Sequence, residues 1–392
     1  MTGPAGDPTS RTPSGTPGTA GAAGTSGTAG AAAGGMAAPG GAGGTARTAA
    51  GTGHRGARTA RFDLLVVGDA NPDVLVSGAP ETPPAGQAET LVDSGTLALG
   101  GSAAIVAHGA ARLGLSTALA AMVGRDAAGD FVLDTLSAAG VDISGCVRHE
   151  SLPTALTVCL NRPDGDRAIL TAPGCLPAFG PEHVPAMTAR HVHTASYFLQ
   201  PRLAAGLAGL LAGFTRAGAT TSLDTNDDPA GGWRLAPGLL AACDVLLPNE
   251  AEALALAAAL PAGPVADAHP VWPGAEEAPA ALAGALAALT AAGPITVAKR
   301  GGRGAVARSG DVLLGARGPA LTPVDTVGAG DGFDAGFLAG WLASGDLAEA
   351  LRWGCACGAL STRATGGTAG QATAAEAAAL AVQVQVTGAG RA

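Results

Sequence analysis

Val324-Asp325-Thr326-Val327-Gly328-Ala329-Gly330-Asp331-Gly332-Phe333 runs without a break into an apolar-periodic segment that ends near Ser344. Phe333, Phe337, Leu338 and Trp341 share one face at helical spacing, and Gly345 follows where a helix C-terminus takes a glycine. The stretch therefore predicts a loop feeding a helix N-terminus. Gly328 and Gly330 clear side chains from both sides of Ala329, so backbone N–H groups can approach an anion, and the helix adds the positive end of its dipole. Asp331 stands at the edge of that socket. A carboxylate there makes chemical sense as a base that takes the proton of a hydroxyl attacking a phosphoryl group. The same letters also read as an ordinary helix N-cap, because Asp is favoured there and glycines make tight turns.

Composition bounds what the rest of the chain can be. Its 392 residues, 47% of them hydrophobic, suffice for one large α/β domain or two smaller ones. A formal charge of minus 9 and a pI near 5.2 exclude a broad basic surface, and with it nucleic acid or an anionic membrane as the main partner. No apolar run reaches the roughly 18 residues of a membrane span. The six cysteines are scattered without a Cys-x-x-Cys pair, which suits reduced thiols in a cytoplasm. Residues 1–60 are Gly, Ala, Thr, Ser and Pro with almost no large apolar side chain, so a disordered low-complexity tail is expected there. The first thirty residues lack the apolar core of a secretory signal, and Met36 is an alternative start.

Residues 62–68 read as a buried strand, followed by the polar cluster Asp69-Ala70-Asn71-Pro72-Asp73. Such a cluster at a strand's C-terminal end is where open α/β sheets bind ligands, although Asn-Pro-Asp also suits a turn. Helix and strand signals then alternate: residues 131–139 helical, 191–198 a strand, 203–216 helical and 220–224 a strand, the βαβ rhythm of a doubly wound sheet. Two blocks fall outside that rhythm, residues 74–99 and 154–170, the second with Pro163-Asp164-Gly165 as its turn. Asn249-x-x-Glu252 sets an amide and a carboxylate about one helical turn apart, suited to a hydrated Mg²⁺ beside phosphate or to a helix cap. Residues 260–280, rich in Pro and Ala, read as a surface loop. A strand at residues 295–299 ends in Gly301-Gly302-Arg303-Gly304, which lacks the spacing of a P-loop.

Asp325-Thr326-x-Gly328-Ala329-Gly330-Asp331-x-Phe333 resembles the C-terminal signature of the ribokinase-like (PfkB) carbohydrate kinases. Gly100-Gly101-Ser102 through Arg112-Leu113-Gly114 resembles the N-terminal one. The resemblance spans about residues 62–380. It implies an α/β fold in a domain of residues 61–385: a doubly wound, mostly parallel sheet flanked by helices, with a small β-sheet lid built from about 74–99 and 154–170. It further implies ATP-dependent phosphorylation of a hydroxyl on a sugar or sugar-like molecule. Asp331 would be the general base, and the amides of Gly328, Ala329 and Gly330 the anion hole. Asn71, Asp73, Gly100, Gly101 and Gln200 match substrate-contacting positions. Ile105 stands where the family usually carries a hydroxyl-binding Asn, a departure that leaves the substrate open. Lys299, Gly301, Gly304 and Asn249 match the nucleotide side, Glu252 would act on Mg²⁺ through water, and Asp325 matches a ligand of a monovalent cation, usually K⁺. A cytoplasmic enzyme pairing as a homodimer through the lid is the corresponding expectation. Two alternatives stay open. A nucleoside kinase of the same fold would suit Ile105, and a non-catalytic nucleotide or sugar sensor is disfavoured by Asp331 and both loop glycines.

Overall fold

The computed structural model describes residues 61–162, 166–261 and 280–389. The expectations for residues 1–60, for the Pro163-Asp164-Gly165 turn and for most of 260–280 lie outside the described residues. In chain order the strands are β1 (Phe62–Val67), β2 (Asn71–Ser77), β3 (Ser94–Gly100), β4 (Thr117–Ala120), β5 (Met122–Gly124), β6 (Val147–His149), β7 (Leu156–Asn161), β8 (Arg167–Ala172), β9 (Ala189–Thr194), β10 (Thr220–Leu223), β11 (Val245–Leu246), β12 (Ile295–Lys299), β13 (Ala305–Ser309), β14 (Val312–Arg317) and β15 (Gln385–Ala389). The helices are α1 (Ser102–Arg112), α2 (Ala127–Ala138), α3 (Pro201–Arg216), α4 (Leu239–Ala242), α5 (Glu250–Ala259), α6 (Ala280–Ala291), α7 (Ala329–Ser344), α8 (Leu347–Ser361) and α9 (Ala374–Ala381).

β1 shows why the main sheet is buried on both faces. Its run Leu64-Leu65-Val66-Val67 is apolar throughout instead of alternating, as a strand covered by helices on two sides requires. Leu64 and Val66 pack into a core with α1, α2, α7, α8 and α9, whereas Leu65 and Val67 face the opposite core with α3, α4, α5 and α6. The strand order is β15-β14-β13-β12-β11-β10-β9-β1-β4. The six strands from β12 to β4 are parallel, and β13, β14 and β15 add on antiparallel at one edge. A second sheet, in the order β3-β2-β7-β8, stands apart from the first. Rows run straight across it: Asp73, Thr157 and Thr171 in one, Leu97, Val74, Val158 and Leu170 in the next. β5 and β6 form a third, two-stranded pairing.

Three local expectations need correcting. The turn that Asn71-Pro72-Asp73 also suits does not form: these are the first three residues of β2, because Asn71 pairs with Gly100 and the chain bends earlier, around Gly68 and Asp69. The strand expected over residues 191–198 ends at Thr194; Ser196 takes a left-handed conformation (φ 56°) and a single 3-10 turn, Tyr197–Leu199, leads into α3. The helix expected from residue 131 starts at Ala127, where Asp126 accepts from the Gly129 amide and caps it. α7 begins at Ala329 and ends at Ser344. Phe333, Phe337 and Trp341 stack at four-residue spacing along it, and Gly345 closes it at φ 68°. Among the described residues no helix is long and apolar enough to cross a membrane.

Candidate active site

The C-terminal ends of the parallel strands gather a dense set of buried polar side chains. The chain leaves β1 through Asp69, which accepts from the Ser102 and Ala103 amides and so caps α1 from a neighbouring segment. Two residues later Asn71 Nδ2 donates to Asp73 Oδ1 at 3.0 Å and to Thr157 Oγ1 at 3.2 Å, which joins β2 to β7. Burial first, and the nearby charge of Asp69 second, push the Asp73 carboxyl up to about 7, against the Asn71 hydrogen bond. Gly100 lies directly across from Asn71, and a Cβ there would overlap the Asp73 carboxylate. Gly101 has φ 81°, and a Cβ on it would lie 3.0 Å from Asn71 Oδ1, Ala70 Cα and Asp69 O. Asn71, Asp73, Gly100 and Gly101 therefore form one cluster, as their spacing in the sequence could not show.

Opposite that cluster stands the N-terminus of α7. Gly328 caps it in the left-handed region (φ 70°), and a Cβ on it would come within 2.5 Å of Gly367 Cα. Asp325 holds the loop: Oδ1 accepts from Val327 N at 3.0 Å and Oδ2 from Gly366 N at 2.9 Å, with Arg167 Nη1 4.0 Å away. Each carboxylate oxygen thus accepts one backbone amide and keeps a further lone pair, with an arginine beside them. Asp331, 8% exposed, is the second residue after Ala329 in the helix. Burial pushes its carboxyl up to about 8, helped by the charges of Asp224 and Asp69 and opposed by Lys299 and a hydrogen bond with Ser102. Ser102 Oγ also accepts from Asn226 Nδ2 at 2.9 Å. The N-termini of α1 and α7 meet at this one point.

The residues expected on the nucleotide side divide. Gly301 (φ 55°) and Gly304 (φ 84°) shape the tight turn from β12 to β13, which closes through Arg300 N on Gly304 O at 2.8 Å. Arg300 and Arg303 both pair with Glu250 and fasten that turn to α5. Lys299 needs a correction: its Nζ does not stand free for a phosphate but bonds Asp224 Oδ2 at 2.6 Å and Asp334 Oδ2 at 3.0 Å, all three side chains being buried. Asn249 and Glu252 form a reciprocal cap on α5, Glu252 N donating to Asn249 Oδ1 and Asn249 N to Glu252 Oε2. Burial and the charge of Asp224 push the Glu252 carboxyl up to about 7. No group of three or more His, Cys, Asp or Glu among the described residues could hold a metal by itself. One carboxylate with phosphate oxygens supplying other ligands is how magnesium is usually held, and Glu252 fits that mode.

Two more expectations move. Gln200 is wholly buried, and its Nε2 donates to the Ala195 and Ser196 carbonyls at 3.1 Å each, which pins the turn after β9, while its Oε1 has no hydrogen-bond partner among the described residues. Ile105, 3% exposed, packs on Gly367: a Cβ on that glycine would lie 2.6 Å from Ile105 Cδ1. Since Gly367 in turn backs Gly328, Ile105 supports the α7 loop from behind. Sequence reasoning missed Asp69, Ser102 and Asp334. Asp334 alone left a signal, its three-residue offset from Asp331 on the same helical face.

A family model described as pfkB family carbohydrate kinase matches residues 61–374. An ATP-dependent ribose-1-phosphate kinase of Halopiger xanaduensis is 34% identical over 269 residues, covering 67% of this chain and 79% of that protein. Among solved structures, Arabidopsis thaliana ribokinase complexed with ribose and ATP superposes with a TM-score of 0.68 at 24% identity, over 82% of this chain and 98% of that one. A Methanocaldococcus jannaschii nucleoside kinase of the ribokinase family does so with a TM-score of 0.65 at 19% identity, over 82% and 99%.

Proposed function

The chain belongs to the PfkB family of carbohydrate kinases, and from that premise we propose that it transfers the γ-phosphoryl group of ATP to a hydroxyl of a ribose-type sugar or sugar phosphate. The observation that carries the reading is Asp331: a buried carboxyl pushed up to about 8, set in the first turn of a helix whose approach is Gly328-Ala329-Gly330. A base works best with a pKa near the operating pH, and burial supplies that here. Asn71, Asp73 and the bared backbone at Gly100 and Gly101 hold the sugar's hydroxyls. Asp331 accepts the proton of the attacking hydroxyl as its oxygen bonds to the γ-phosphorus and the bond from that phosphorus to the β–γ bridging oxygen breaks, releasing ADP, and the amides of Gly328, Ala329 and Gly330 face the charge on the phosphoryl oxygens. The turn at Gly301 and Gly304 borders the nucleotide, beside the Asn249 and Glu252 cap. Mg²⁺, bound through the phosphates and Glu252, would neutralise their charge.

The small sheet covers the sugar as a lid. Its outer row, Leu97, Val74, Val158 and Leu170, leaves Leu97 51% and Leu170 59% exposed, which suits a second copy of this chain packed on it. A nucleoside acceptor is the second reading, favoured by the apolar Ile105 where an amide would bind a hydroxyl. An ATP-consumption assay over ribose, ribose 1-phosphate, fructose and adenosine, run on wild type and Asp331→Asn, tests the proposal. Turnover with a ribose compound that vanishes in the variant is the expected result. Equal turnover in the two proteins would overturn it.

A further inference from the structure

Beneath the anion-hole turn lies a cluster that the reaction as proposed does not use. Lys299 ends β12, Asp224 follows β10 and Asp334 sits one turn into α7, so three separate elements each contribute one side chain. Lys299 Nζ bonds Asp224 Oδ2 at 2.6 Å and both oxygens of Asp334, at 3.2 and 3.0 Å. Asp224 is 1% exposed and Asp334 0%. A Cβ built on Gly330 would lie 3.6 Å from Lys299 Nζ, so the ammonium sits directly under the turn that carries Gly330 and Asp331.

Two buried carboxylates and one ammonium would leave an uncompensated charge in the interior, which is costly. Sharing one proton between the carboxylates removes it. The directions agree: although burial pushes both up, the charge of Lys299 and a hydrogen bond from Asp334 hold Asp224 low, while Asp334 stands well above the usual carboxylate range. Asp334 is then the acid that donates to Asp224, and Lys299 donates to both. The remaining charged or titratable groups facing this cluster are Asp331 on α7 and Glu252 on α5, with His193 on β9 held neutral by burial.

We propose that Lys299, Asp224 and Asp334 are positioning residues, a closed hydrogen-bonded ring that locks the first turn of α7, and with it the Gly330 amide and the Asp331 carboxylate, onto the ends of β10 and β12. Lys299 serves the anion hole from below and binds no phosphate itself. This rests on the assignment of Asp331 as base. A misplacement of about 1 Å in a reacting constellation can cost on the order of 100-fold in rate, so loss of the ring falls on kcat and leaves nucleotide binding alone.

Three variants test it, with kcat, KM for ATP and sugar, and Tm measured on each. Asp334→Ala breaks the ring and is expected to lower kcat about 10- to 100-fold while KM for ATP stays within about threefold. Asp334→Asn keeps a donor for Asp224 and an acceptor for Lys299 and is expected to restore kcat to within about threefold of wild type. Lys299→Gln is expected to follow the alanine variant, and decides the matter should that variant fail to fold. A rise of tenfold or more in KM for ATP in Lys299→Gln, with kcat kept, would make Lys299 a phosphate ligand and overturn the proposal. So would an Asp334→Ala enzyme with wild-type kcat, or an Asp334→Asn enzyme as impaired as the alanine one. If Asp331→Asn itself keeps its turnover, the base assignment fails instead, and the two failures are told apart.

Discussion

Alanine at Gly328 puts the anion hole to a quantitative test. The residue sits at φ 70°, where a side chain costs about 1–2 kcal/mol, and its new Cβ would stand 2.5 Å from Gly367 Cα, closer than carbon atoms approach. The overlap is with backbone, so no rotamer change relieves it. Gly367 cannot retreat freely because Ile105 Cδ1 packs behind it, so the loop at Gly328 must lift instead. A displacement of the order of 1 Å at the amides of Ala329 and Gly330 predicts a fall in kcat of roughly 100-fold. Gly345 supplies the control at the other end of the same helix. It has nearly the same backbone, φ 68°, but nothing within 4 Å of an added Cβ. Gly345→Ala therefore carries the strain without the collision and should lower Tm by about 2–4 °C per kcal/mol with kcat unchanged. Steady-state kinetics and thermal denaturation on the pair separate the two effects. Wild-type kcat in Gly328→Ala, or an equal loss in Gly345→Ala, would refute the argument.

Other outcomes follow from the same geometry. Asp331→Asn keeps the shape of the side chain but cannot take a proton, so kcat should fall about 10² to 10⁴-fold with little change in MgATP affinity or Tm, read by kinetics, nucleotide titration and melting. The pH dependence has a fixed sign. Asp331 is pushed up to about 8, Asp73 and Glu252 to about 7, all above their unfolded values, so the folded protein holds the extra protons and this stability is lost as pH rises through the folded values. Tm of the ligand-free protein should therefore decline between about pH 6 and 8 on account of these groups, and a rise across that window would contradict their assignment. Over the same range kcat/KM should climb as Asp331 loses its proton. Ile105→Asn should raise relative activity on polyhydroxylated sugars if the amide reaches the pocket. Because Ile105 also backs Gly367, a loss in Tm without any change in substrate profile would assign it to support alone.

Local patterning made much of this molecule readable. The unbroken apolar run of β1 announces a strand covered on both faces, and the Gly328–Phe333 string marks a helix start. What stayed hidden depends on partners far away in the chain. Lys299 read as a phosphate neighbour because its strand and Gly-rich turn resemble the family's ATP-flanking segment, and nothing near it in sequence announces Asp224, 75 residues earlier, or Asp334, 35 later. Gln200 differs, since its partners are local: its Nε2 donates to carbonyls at a left-handed turn that no propensity marks at Ser196. Asn71-Pro72-Asp73 has good turn chemistry, yet pairing with β3 and β7 on either side drew it into a strand.

The strands of the small sheet are rooted at one end only. β2 is buried at Asn71, Pro72 and Asp73 and partly open by Val76 and Ser77, while β3 is exposed from Ser94 to Thr96 and buried at Leu99 and Gly100. Any rocking of the sheet thus pivots about the Asn71–Gly100 pair, and displacement grows with distance from that fulcrum. Asn71, Asp73 and Gly100 sit where the lever arm is shortest, and the far ends of the strands, Ser77, Asn161 and Arg167, sweep the widest arc. On the proposed function, the sheet can thus swing aside to admit a ligand while Asn71 and Asp73 keep their aim. Amide hydrogens of β8 should accordingly exchange with solvent well before those at the root of β2.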